Sequence, residues 1–293
     1  MAAGAPGVLG GLLSPLSLLL TGLTPFVAGT LLAGVAGFPV RLKILGAGAL
    51  AVAALIMAAC AGRQAFSPGA GRWPTRGGRS PATAGRLAYG SLSLAAFLGL
   101  LLQFGWHTGD LTIPLGGLGI LGGYFYFAPP LAWHRRGWGE AVGGLCFGLL
   151  PVVTGFYLQC GHLVTEVLLY GLPLTFAGFN LFLIYGFANP EEEAPPQRHS
   201  LVERLGPAAG ALTYTMVNIL TITGLGFCFF FPPSPLPLRD GLWVLAVLAL
   251  INQELVKRKF YRQENRLKLL GRLTLTLHLS MGLMFTLMLW RRL

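Results

Sequence analysis

Between Tyr185 and Gly206 the chain reads YGFANPEEEAPPQRHSLVERLG. Three consecutive carboxylates, Glu191, Glu192 and Glu193, stand there beside Pro190, Pro195 and Pro196 and ahead of Arg198, His199 and Arg204. Carboxylate oxygens suit a hard cation such as Mg²⁺, and arginine forks suit phosphate, so the passage has the parts of a metal and phosphate site. Its bland counterpart is a solvated acidic loop paired with neighbouring arginines, because charge runs usually face water. Other reactive side chains are scattered. His107, His134, His162, His199 and His278 show no ligand spacing, and Cys60, Cys146, Cys160 and Cys228 form no CxxC pair, which leaves the cysteines as small packing residues.

The elements that must position these residues are greasy. Of 293 residues 54% are hydrophobic and 11% charged, whereas a soluble domain has about 25% charged residues. An integral, all-α membrane protein follows, and its 42 glycines suit helices whose backbones approach closely in lipid. Period-two alternation over some ten residues, the mark of a membrane barrel, is absent. The net charge of +11 does not point to nucleic acid, since the basic residues flank apolar spans and are not interleaved with aromatics on a polar face. An anionic membrane surface is the fitting partner. The first basic residue is Arg41, so the opening apolar stretch lacks the positive flank of a cleavable leader and reads as a retained helix.

Nine spans are expected, at 9–36, 44–60, 88–104, 111–130, 141–159, 163–186, 208–231, 241–256 and 273–290, forming one polytopic domain over 1–293. With nine helices, sixteen Lys and Arg residues fall in the connections after the second, fourth, sixth and eighth, and five fall on the opposite side. By the positive-inside rule, the N-terminus and the loops 61–87, 131–140, 187–206 and 257–272 lie in the cytoplasm, in an inner-membrane protein. The last of these loops carries seven basic residues and one acid, Glu264, and suits anionic lipid head groups.

Four stretches, in order along the chain, resemble the UbiA superfamily of intramembrane prenyltransferases. They are LSPLSLLLTGLTPFVAGTLLA (14–34), YFAPPLAWHRRGWGE (126–140), CFGLLPVVTGFYLQ (146–159) and RHSLVERLG (198–206). They are most similar to the dihydroxynaphthoate polyprenyltransferase branch of menaquinone synthesis. The resemblance implies a nine-helix bundle with a central cavity open to lipid and capped by cytoplasmic loops. It also implies transfer of a polyprenyl group from its diphosphate to an aromatic quinone precursor. In that family two acidic motifs, after the second and sixth helices, hold Mg²⁺ against the diphosphate.

The chain departs from that pattern. The stretch corresponding to the first motif, ACAGRQAFSPGAGRWPTRGGRS (59–80), contains no acid, and none precedes Asp110; Arg63, Arg72, Arg76 and Arg79 stand there instead. The second motif falls on Asn189 and Glu193, with Pro190 between them and Glu192 as a further carboxylate. By resemblance, Asn189, Glu192 and Glu193 are the metal candidates of an active enzyme. Arg135, Arg136, Arg198 and Arg204 are candidates for the diphosphate or an anionic head group, with membrane anchoring as the plainer role of the first two. Tyr124, Tyr126, Phe156, Tyr157 and Asn180 are candidates for lining a prenyl or quinone cavity, against plain packing or interhelical hydrogen bonding. The missing first motif favours lost or altered catalysis, in an accessory subunit of a membrane complex that holds a prenyl lipid, quinone or pigment tail. The alternative is an active prenyltransferase, and Mg²⁺ belongs only to that reading.

Overall fold

A computed structural model describes residues 14–66, 80–187, 200–230 and 236–293, with 236–240 described by their backbone alone. The described residues form eleven α-helices joined by short 3-10 and π turns, and no strand. The helices are α1 (Pro15–Val35), α2 (Leu42–Phe66), α3 (Pro81–Leu100), α4 (Thr112–Gly122), α5 (Gly139–Phe147), α6 (Leu149–Cys160), α7 (Glu166–Gly186), α8 (Leu201–Leu205), α9 (Pro207–Phe230), α10 (Leu236–Lys257) and α11 (Glu264–Trp290).

Each of the nine expected segments overlaps a helix, 111–130 only as far as Gly122, and among the described residues seven segments are long and apolar enough to cross a membrane: α1, α2, Pro81–Gly105, Gly139–Cys160, α7, α9 and α11. The other two fall short for different reasons. With 11 residues, α4 reaches only about half of the ~30 Å hydrocarbon thickness. The 22-residue α10 has Arg and Asp near its start and Glu and Lys near its end, which shortens its apolar run. A count of nine spanning helices is therefore not reached among the described residues. The expected loop 257–272 is also mostly helix, because α11 starts at Glu264 and carries Arg266, Lys268 and Arg272 on its first turns.

Local chemistry sets the helix ends. Ser14 opens α1 by accepting from the Ser17 amide at 3.2 Å, with Pro15 at the first helical position. Ser80 and Pro81 repeat the device at α3. One expected span, 141–159, is broken at Gly148, whose φ of −121° and ψ of −93° separate α5 from α6. The Leu149 amide exposed by the break donates to Thr175 Oγ1 of α7 at 2.8 Å, as a freed backbone group in lipid must find a partner. At the far end of α6, Arg41 Nη2 donates to the carbonyls of Leu158 and Gln159 at 3.3 and 3.1 Å. The Arg41 amide donates to Gln159 Oε1 at 3.0 Å. Since Arg41 satisfies carbonyls left over at a helix C-terminus, Arg41→Ala is expected to lower stability by about 1–2 kcal/mol, read as a lower thermal midpoint in detergent.

The largest buried cluster joins α1, α6, α7, α9, α10 and α11 around Phe156, Leu174, Met281 and Phe285. Close backbone approach makes this possible. At Gly29 of α1 and Gly155 of α6, a Cβ would fall on the carbonyl oxygens of Val152 and Phe26 respectively. The two helices touch through their backbones there, which is where small residues belong in lipid. Helices α2, α3 and α4 stand to one side of this core and leave a space between themselves and α5 and α6.

Candidate functional site

That space is a cavity of about 340 Å³, within the range of ligand pockets, about 300–1,000 Å³. Its wall is built of small residues on α2 and α3, glycines on α4, and the faces of Cys146, Phe147 and Thr154 on α5 and α6. Leu100 and Ile113 line it and are also exposed, so it opens sideways between α3 and α4 toward the membrane. Among the described residues that line it, one carries a charge: Arg63, on the last turn of α2.

Arg63 sits among aromatic rings. Its Nη2 donates to Tyr185 Oη at the end of α7. Its guanidinium lies 5.5 Å from the centre of the Phe127 ring and 5.4 Å from that of Tyr185, within cation–π range. Phe127 and Tyr126 both line the cavity and pack against His134, at 5.1 and 6.1 Å between ring centres. His134 Nδ1 lies 2.6 Å from the Tyr126 carbonyl oxygen, so Nδ1 carries the proton in that contact. Trp133 Nε1 donates to the Leu121 carbonyl at 2.8 Å and ties the same turn to the end of α4.

The loops at this end converge. Arg204 Nη1 donates to the Arg136 carbonyl at 3.3 Å, and Arg136 Nη2 to the Pro130 carbonyl at 2.9 Å. Glu140, 4% exposed, accepts the Leu201 amide at 3.0 Å through Oε1. This anchors α8 to the start of α5. Ser200 and Glu203 open α8 with a reciprocal capping box. The Ser-Leu-Val-Glu run within RHSLVERLG is thus accounted for by helix capping.

The sequence candidates divide accordingly. Asn189, Glu192, Glu193 and Arg198 lie outside the described residues, as do Arg72, Arg76 and Arg79. Arg135 is half-buried beside His134, while Arg136 and Arg204 spend donors on backbone carbonyls at the same end. Of the five cavity candidates only Tyr126 lines the cavity. Tyr124 packs instead among Phe66, Tyr89 and Phe125, because the turn after Gly123 aims it at α2 and α3. Phe156 belongs to the main core. Tyr157 Oη accepts the Leu111 amide at 2.9 Å and supports the turn before α4. Asn180 Nδ2 donates to the Tyr214 carbonyl at 3.3 Å and links α7 to α9. Residue type alone could not separate these four from Tyr126, since helix phase decides which face meets the cavity. Arg63 was legible only as one of several arginines in an expected loop, because the helix was expected to stop at residue 60.

The α2 end does not suit Mg²⁺. A hard dication needs carboxylate or carbonyl oxygens, and the residues there offer Ala59, Cys60, Gly62, Arg63 and Gln64. Among the described residues no three His, Cys, Asp or Glu side chains gather at one point.

The UbiA prenyltransferase family matches residues 22–280. The 1,4-dihydroxy-2-naphthoate octaprenyltransferase of Bacillus subtilis (strain 168) is 27% identical over 190 residues, and the match spans 60% of this chain and 60% of that protein. Among solved structures, the apo structure of a UbiA homologue from Aeropyrum pernix K1 superposes with a TM-score of 0.66 at 17% identity, covering 91% of this chain and 96% of that one. A digeranylgeranylglyceryl phosphate synthase superposes with a TM-score of 0.68 at 13% identity, covering 94% and 98%.

Proposed function

The chain belongs to the UbiA prenyltransferase family, and from that premise we propose that it transfers a polyprenyl group from its diphosphate to an aromatic quinone precursor of the dihydroxynaphthoate type. The single observation that carries this reading is the cavity, which is apolar and opens sideways toward lipid, with one charged side chain, Arg63, among the described residues of its wall. An amphiphile with a long chain and an anionic head matches that polarity. The 27% identity to a dihydroxynaphthoate octaprenyltransferase supports the acceptor class.

In the transfer the bond between prenyl C1 and the diphosphate oxygen breaks with its electron pair on the leaving group. A ring carbon of the acceptor bonds to C1 and gives up its proton to water. Arg63 stabilises the departing charge, because a fixed cation in a water-poor cavity needs no reorganisation at the moment of reaction. Phe127 and Tyr126 offer ring faces to the cation at C1 and exclude water from it. When bound, Mg²⁺ would neutralise the same leaving group; the α2 end contributes no ligand to it, and Asn189, Glu192 and Glu193 are the residues left for that role. In the same reading the basic loops face the cytoplasm of an inner-membrane protein, and the basic turns from Lys257 to Arg272 rest on anionic lipid.

A second reading has one observation in its favour: no carboxylate precedes Asp110. On that reading the bundle holds a prenyl lipid, quinone or pigment tail as an accessory subunit of a membrane complex and transfers nothing. Purified protein, labelled polyprenyl diphosphate and a panel of aromatic acceptors separate the two. Prenylated product is expected; a partner complex that co-purifies with an intact lipid in the bundle, and no product under any condition, would favour the accessory role.

A further inference from the structure

We infer that His278, on α11, is a positioning residue for the cavity: by donating to helix carbonyls that prolines leave open, it holds the aromatic wall of Phe147, Phe182 and Tyr126 in place. The inference rests on the prenyl reading above and concerns how water is kept from the reacting carbon. Three observations carry it.

The first is an unspent donor. His278 is 0% exposed, and neither ring nitrogen closes a hydrogen bond of ordinary geometry. The polar groups that its ring faces are the backbone carbonyls of Thr21 on α1 and Phe147 at the end of α5. An ionisable side chain this deep in a bundle is costly and rarely idle, and a buried N–H that meets a carbonyl away from water pairs with it.

The second is why those carbonyls are open. In an α-helix each carbonyl accepts from the amide four residues on. For Thr21 and Phe147 that residue is Pro25 and Pro151, and proline has no amide hydrogen. Pro173 of α7 shows the same gap repaired by a neighbouring helix: the Leu169 carbonyl accepts Cys228 Sγ of α9 at 3.0 Å. His278 stands between two such gaps. A neutral imidazole has one N–H, so its tautomer decides which carbonyl is served.

The third is what Phe147 carries. Its ring lines the cavity and lies 5.5 Å from Phe182, which lies 5.6 Å from Tyr126, between ring centres. Leu18, three residues before Thr21, and Leu275, three residues before His278, pack on the same cluster. Gly178 of α7 makes room for the imidazole, since a Cβ there would meet His278 Cε1 at 3.5 Å. His278 is not part of the lining and acts from behind it.

A wall that loosens admits water to C1. The bond to the diphosphate oxygen breaks as before, with its electron pair on the leaving group. The water oxygen then bonds to C1 and gives a proton to solvent, so prenyl alcohol forms in place of the prenylated ring. The ratio of the two products does not depend on how much protein is folded.

The test uses the full chain in nanodiscs with geranylgeranyl diphosphate, Mg²⁺ and 1,4-dihydroxy-2-naphthoate. His278→Leu is expected to raise the ratio of geranylgeraniol to prenylated aromatic product by about tenfold, inside the about hundredfold that a 1 Å misplacement costs. His278→Gln, whose amide offers two N–H donors, should return the ratio to within about twofold of wild type. A second readout needs no turnover. Cys146, beside Phe147, and Cys60, on α2, both line the cavity; labelling of Cys146 by N-ethylmaleimide relative to Cys60 should rise about tenfold in His278→Leu and stay unchanged in His278→Gln.

An unchanged product ratio in a folded His278→Leu protein would overturn the inference. So would a His278→Gln variant that behaves like His278→Leu, or equal rises at Cys146 and Cys60, which mean general loosening. If wild-type protein forms no prenylated product, the prenyl reading fails and the labelling ratio alone decides the role of His278. Should His278→Leu not fold, solid-state NMR of wild-type protein decides: a ring N–H of His278, assigned by its loss in His278→Gln, is expected to correlate with the carbonyl carbon of Thr21 or Phe147, and absence of both correlations overturns the inference.

Discussion

Gly116→Phe is expected to reduce prenyl transfer by about a hundredfold while the bundle stays as stable as the parent. Gly116 lies on α4 and lines the cavity, and a Cβ built on it meets nothing within 4 Å. The added ring therefore has room, and that room is the cavity. In a helix, glycine is less favourable than most residues by several tenths of a kcal/mol, so the substitution does not weaken α4 intrinsically. Excluding the prenyl chain removes the binding energy that positions C1 beside the head group, and mispositioning alone costs about 10² in rate. Labelled product and a thermal midpoint, measured on the same preparation, check both halves. Unchanged transfer in this variant would place the prenyl chain somewhere other than this cavity.

The largest expected effect on stability is that of Gly29→Val, which should leave no folded, monodisperse protein in detergent. A Cβ on Gly29 would fall on the Val152 carbonyl, and the neighbouring contact at Gly155 involves the Phe26 carbonyl in the same way. Backbone cannot step aside as a flexible side chain can, so α1 and α6 must separate, and Thr30 loses its 3.3 Å bond to the Gly155 carbonyl. Overpacking typically costs about 1–3 kcal/mol and more where nothing can yield, a large part of a marginal stability. Gly46→Ala on α2 is the control: nothing lies within 4 Å of its Cβ, and replacing a helical glycine should stabilise by about 0.5–1 kcal/mol. Size-exclusion profiles and thermal midpoints of the two variants should move in opposite directions.

The helices were legible because lipid enforces a simple rule: a span must be long and apolar. What the rule misses are interruptions that a neighbouring helix repairs. The break at Gly148 is invisible in an apolar run, although Pro151, in the first turn of α6, is the signal that a helix begins there. The stop of α4 at Gly122 was signalled by the Gly-Gly pair that precedes the aromatic turn. Helix α2 runs six residues past its expected end because Arg63, which looked like the start of a polar loop, finds Tyr185 and Phe127.

The site was partly legible. Of the residues that the resemblance named, Tyr126, Arg135, Arg136 and Arg204 lie together at one end of the bundle. Phe156, Tyr157 and Asn180 were chosen by residue type, and type does not reveal helix phase. Each of the three has a partner that explains it: the main core for Phe156, the Leu111 amide for Tyr157 and the Tyr214 carbonyl for Asn180. Glu140 passed unremarked within a motif, because its capping of Leu201 joins residues 61 positions apart.

Prenyl transfer by this chain is tested most directly by a mass balance on purified protein loaded with polyprenyl diphosphate and mixed with 1,4-dihydroxy-2-naphthoate. One prenylated aromatic product is expected for each inorganic diphosphate released, with loss of both in Gly116→Phe. Recovery of the polyprenyl diphosphate intact from a protein that has bound it, with and without Mg²⁺, would contradict it.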